Sequence, residues 1–120
     1  MNKELRISTI LKDLGVAASL SVYRYLRYAI GLVINDMSLT NHITKELYPA
    51  VAKKFNTTPP RAERGIRHAI ETGWLRGNAD LESKMFGYSV RADKGKPTNS
   101  EFIATVADYI LMTQEDNHGN

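Results

Sequence analysis

The residues with the most chemical potential stand together in the middle of the chain. Arg61, Arg64, Arg67 and His68 recur at spacings of three and four, with Glu63 and Glu71 among them. At about 100° per residue, a helix over 59–76 gathers Ala62, Ile66, Ala69, Ile70 and Gly73 into one sector. Arg61, Arg64, His68 and Glu71 fall in the opposite sector, Arg67 lies beside them, and Glu63 sits on the flank. The DNA major groove admits one α-helix, and an arginine on its face can donate two hydrogen bonds to guanine O6 and N7. Glu63 can accept from a cytosine amino group, or it can orient a neighbouring arginine. Pro59 and Pro60 lack the amide donors that usually favour phosphate at a helix N-terminus, so such a helix relies on side chains. Residue types alone leave two readings open: a groove-reading helix, or a helical interaction module whose basic face meets an acidic protein.

Other chemistry finds little support. His68 and Glu71 could place two metal ligands on one helix face, but further ligands at convincing spacing are lacking, and the chain has no cysteine. His42 reads as a turn residue and His118 as a tail residue. No paired carboxylates, Ser-His-Asp set or phosphate loop is evident. Neither an enzyme, a metal site nor a cofactor is expected. Tyr23, Tyr25 and Tyr28 alternate with Arg24 and Arg27, which could form a stacking surface for bases. Tyrosines at a core boundary fit the pattern better, and Trp74 reads as a packing residue.

The elements that must position the arginines follow from periodicity. A short helix is predicted over 5–14, with Leu5, Ile7, Ile10, Leu11 and Leu14 on its apolar face and Gly15 ending it. A longer helix over 21–37 carries Leu26, Ile30, Val33 and Met37 on one stripe. Residues 38–41 read as a turn. Ile43, Leu47, Val51 and Phe55 then recur every fourth residue, but Pro49 interrupts them, so a break or kink is expected with a short helix restarting there. With the turn at 56–58 and the helix from Pro59, this gives a helix-turn-helix over about 49–76. A short helix after Asn78, a basic loop over 89–97 and a last helix opened by Thr98-x-x-Glu101, the spacing of a capping box, complete the chain. A polar tail is expected over 114–120. The fold class is all-α: one domain over 1–120, a bundle of about six helices.

Composition agrees. A chain of 120 residues suits one domain with a core of its own. The net charge is +3, yet residues 45–76 alone hold seven lysines and arginines against three glutamates. The basic excess is therefore local, as a polyanion partner requires. Lys53 and Lys54, and the loop residues Arg91, Lys94 and Lys96, are candidates for phosphate contacts. The longest apolar run, 29–34, is far short of the roughly 20 residues of a membrane span, so no membrane partner is expected.

The segments ITKELYPAVAKKFNTTPPRAERGIRHAIETGW, RGNADLESKMFGYSV and KPTNSEFIATVAD resemble, one after another, the C-terminal effector domain of the master response regulator of endospore formation, the stage 0 sporulation protein A family. The resemblance runs from Ile7 to Leu111. It implies a six-helix bundle that binds short promoter boxes of double-stranded DNA as a tandem pair, activating some genes and repressing others as the output half of a phosphorelay in the bacterial cytoplasm. It places base and phosphate contacts on Arg61, Glu63, Arg64, Arg67 and His68. It also implies that residues 77–88, with Asp80, Glu82 and Lys84, meet the sigma subunit of RNA polymerase. Two features depart from the family pattern: Pro59-Pro60 before the first arginine, and Gly65 in place of alanine. The family's full-length proteins begin with a phosphoryl-accepting receiver domain. No alternating strand–helix pattern of that kind is legible in 1–120, so the chain is expected to be the effector part of a longer protein, with the receiver as a partner.

Overall fold

In the computed structural model, residues 2–87 and 95–118 are described, with side chains as far as Thr113. Among the described residues the chain forms six α-helices and two short helical turns: α1 (Lys3–Asp13), α2 (Tyr23–Asn35), α3 (Tyr48–Lys54), α4 (Pro59–Trp74), α5 (Ala79–Phe86) and α6 (Asn99–His118). The all-α bundle expected from periodicity is the fold observed. The polar end predicted to be a tail continues as helix, since α6 runs to His118.

Helix α2 is the hub, touching α1, α3, α4 and α6. Its stripe of Leu26, Ala29, Ile30 and Val33 is fully buried. Ile7, Leu11 and Leu14 of α1 and Phe102, Ile103, Val106 and Ile110 of α6 close over it. Leu5, expected on the apolar face of α1, is instead 52% exposed. The α1–α6 contact is tied by Arg6, which donates to the Ile110 carbonyl at 3.0 Å and to the Thr113 hydroxyl.

Helix ends follow their side chains. Asn2, Thr58 and Asn78 each accept backbone N–H groups as N-caps of α1, α4 and α5. Thr98 and Glu101 form the reciprocal box at the start of α6: the Glu101 N–H donates to Thr98 Oγ1 at 3.1 Å, and the Thr98 N–H donates to Glu101 Oε1 at 2.9 Å.

Pro49 does not break the chain. The residues before it, Ile43–Leu47, form one wide π turn that runs directly into α3. There the Tyr48 N–H bonds to Ile43 O, five residues back. The wide turn shifts the carbonyls ahead of the proline, and the ring enters α3 in its first turn, where no amide is needed. The short helix expected to restart at Pro49 is α3, which starts one residue earlier, and the break or kink expected there is a change of helical pitch from the π turn at Ile43–Leu47.

Candidate nucleic-acid interface

The geometry of α4 starts at the turn before it. Helix α3 ends at Lys54 and Asn56 takes the left-handed conformation, φ 53°. The Thr57 N–H returns to Ala52 O at 2.9 Å. This closing pattern needs a residue that tolerates positive φ, and asparagine does so more readily than most. Thr58 then caps α4 by accepting from the Arg61 N–H at 3.3 Å. Pro59 and Pro60 have no N–H, and the Ala62 N–H bonds to Thr58 O at 2.8 Å. The N-terminus of α4 thus offers no free amide to a phosphate, and recognition falls to side chains.

The inner face of α4 is fixed along its length. Ala62, Ile66, Ala69 and Ile70 are buried, as their sector predicts. Gly65 faces α2: a Cβ there would stand 2.9 Å from a Tyr25 ring carbon and 3.0 Å from Val22. Glycine here lets the two helices approach more closely than alanine would. At the far end Gly73 and Gly77 meet the α1 terminus, where Gly15 sits at φ +88°. A Cβ on Gly15 would lie 2.2 Å from the Gly73 carbonyl oxygen. Trp74 packs edge-on to Phe86, ring centroids 5.0 Å apart, which is the packing role its position suggests.

The outer face presents Arg61, Arg64, Arg67 and His68 together, all exposed. Among the described residues, the side chains of Arg61, Arg64 and His68 have no hydrogen-bond or ion-pair partner. Arg67 does: its guanidinium lies 3.5 Å from Glu63 Oε1. Glu71 pairs with Lys96 at 3.0 Å, which brings the residues just before α6 against α4. Lys53 and Lys54 are exposed at the end of α3, beside the turn, with the Lys54 ammonium over the Tyr28 ring. Arg91 and Lys94 lie outside the described residues. Tyr25 and Tyr28 are half-buried against Phe55, centroids 5.2 and 5.6 Å apart, so these tyrosines are core-boundary residues.

Helix α5 carries Asp80 and Lys84 outward. Glu82 is different. Its Oε2 is shut from solvent without a hydrogen-bond partner among the described residues, close against the Gly77 backbone, and burial raises its carboxyl above the ordinary range.

A polar cluster under the flank of α4 was not legible in the sequence. The Asn99 side-chain amide donates to Tyr48 Oη at 3.0 Å, to Glu63 O at 3.2 Å and to Glu63 Oε2 at 3.4 Å. Burial raises the Tyr48 phenol, the Asn99 hydrogen bond opposes this, Glu63 adds to it and Arg67 opposes it. One signal existed: Asn99 is a polar residue on the stripe of Phe102, Ile103 and Val106. A cleft of about 360 Å³, lined by Tyr48, Glu63, Arg67, Lys96 and Asn99, opens beside the cluster.

Among the described residues, no group of three His, Cys, Asp or Glu side chains could hold a metal, and no helix is long and apolar enough to cross a membrane. A short capped turn, a scaffold helix and a following helix with arginines on its free face define a helix-turn-helix DNA-binding domain of a transcription regulator. The sequence profile of the family described as sporulation initiation factor Spo0A, C terminal, matches residues 7–110. The chain belongs to that family and is a DNA-binding domain of a sporulation regulator.

Proposed function

We propose that this domain reads short promoter boxes through the outer face of α4, activating some genes and repressing others at the start of endospore formation. The observation that carries the reading is the free state of Arg61, Arg64 and His68 on a helix whose other face is locked into the core. Unpaired arginine forks on a rigid helix are preorganised for guanine edges. Arg64, at the centre of the face, reads a base directly, with Arg61 and His68 beside it. Arg67, its direction set by Glu63, reads a base next to that of Arg64. Lys53, Lys54, Lys94 and Lys96 follow the DNA backbone.

The same proposal extends to partners. The domain acts in the cytoplasm as the output half of a phosphorelay regulator, joined to a receiver domain that promotes tandem pairing on DNA. The sigma subunit of RNA polymerase meets α5, with Asp80 and Lys84 carrying the accessible charge and Glu82 turned towards Gly77. The deciding experiment selects bound duplexes from a random library at moderate salt. An enriched box that binds far more tightly than its scrambled form is the expected result. Equal binding to both would leave only a general polyanion binder.

A further inference from the structure

Asn99 is the one buried polar or charged residue among the described residues. Its amide has two hydrogens and three acceptors within reach, one on α3 and two on α4. If this position served packing alone, an apolar residue would fill it without the cost of desolvating an amide. What the amide adds is direction. It holds one oxygen of Glu63 from beneath, and the other oxygen of that carboxylate faces Arg67 on the exposed side. Tyr48 Oη shares the same amide from the scaffold helix. The first residue of α6 thus reaches the recognition face through two intermediates, a carboxylate and a guanidinium.

We propose that Asn99 and Tyr48 are positioning residues for sequence recognition: they fix the Glu63 carboxylate and through it Arg67, so that base preference depends on the start of α6. This rests on the reading of α4 as the base-reading helix. Neither residue touches DNA in this scheme. Their loss lowers affinity for the preferred box and leaves binding to scrambled duplex and its salt dependence unchanged.

The test is a double-mutant cycle on the whole chain, with the selected box and its scrambled form as probes and circular dichroism to verify folding. Asn99→Ala is expected to weaken binding to the box roughly tenfold, the scale of one hydrogen bond to a charged group. Scrambled duplex should bind as before. Glu63→Gln should have a similar effect alone and add little in the Asn99→Ala background, because both act through one carboxylate. Tyr48→Phe should act in the same direction more weakly. Losses that multiply in the double variant, or that are equal on both duplexes, would overturn the proposal. Should Asn99→Ala fail to fold, the cycle of Tyr48→Phe with Glu63→Gln decides by the same criterion. A wild-type chain that does not distinguish box from scrambled duplex would remove the base-reading role itself, and with it this one. Discrimination by the wild type with multiplying losses removes only the positioning role.

Discussion

Arg64 and Glu82 show how far a residue's type predicts its use. Arg64 stands where the sequence places it, at the centre of the exposed sector, and has no partner among the described residues. Arg64→Ala is expected to cost about 1–3 kcal/mol on the preferred box and to relax preference at one base. Titration against box and scrambled duplex checks this, and equal loss on both would assign Arg64 to a phosphate. Glu82 reads as an outward-facing charge on a short helix, but its Oε2 is enclosed near Gly77. Its carboxyl is raised in the fold, so the folded state resists deprotonation more than the unfolded chain does. Stability is therefore lost as pH climbs from the ordinary carboxylate range through the raised value. Glu82→Gln should melt higher than the wild type at pH 7, and the gap should close below roughly pH 4, where both states are protonated. Melting curves across that range test it; a gap independent of pH would mean that the charge is not the cause. Periodicity sees which way Arg64 points because the core lies opposite. It cannot see Glu82 turn inward, because the side chain folds back against Gly77 in the turn before α5 instead of following the apolar face of its own helix.

At the scale of elements, local rules were sufficient wherever the cause was local. The caps at Thr58, Asn78 and Thr98, the left-handed turn at Asn56 and the inner stripe of α4 all follow from neighbouring residues. Two features are only partly legible. Pro49 marks the kink and the start of α3, but the π turn just ahead of it leaves no mark in the apolar pattern. Gly65 looks like a helix weakness of roughly 1 kcal/mol. Its reason is the Tyr25 ring on α2, itself held against Phe55. Gly65→Ala should therefore destabilise the domain despite alanine's better helix propensity, because overpacking costs about 1–3 kcal/mol. Chemical denaturation measures the balance; a stabilised variant would show that α2 and α4 can part freely. Gly15→Ala should be worse, since it combines a positive φ with a backbone clash against Gly73.

At the scale of the molecule, the large apolar residues exposed among the described residues, Leu5, Leu75 and Met112, come from three separate parts of the chain, while the α6 stripe is consumed by the domain's own core. A free chain should be a monomer, with pairs forming on DNA that carries two adjacent boxes through the exposed flank of α6. Sedimentation at micromolar concentration is expected to give one species near 13.5 kDa; a stable dimer without DNA would reveal an interface elsewhere. Charge acts at this scale too. Each phosphate neutralised contributes about −0.9 to the slope of log affinity against log salt. Replacing Lys94 and Lys96 together by glutamine should flatten that slope while the preferred box stays the same. An unchanged slope would take the 89–97 loop off the DNA and leave the Lys96–Glu71 pair as a brace for α4.

The free side chains of Arg61, Arg64 and His68 carry one more consequence. Nothing among the described residues leans on them, so exchanging them leaves the bundle's internal contacts unaltered, and surface changes of this kind usually alter stability little. The junction of Gly15, Gly73 and Gly77 is the reverse, with three backbones touching where any side chain collides. Inheritance can therefore act on the two regions at different speeds. A lineage could retarget its promoters by drift at three codons while the frame that aims them stays locked, and a protein engineer could vary the same three positions in a library without first repairing the fold.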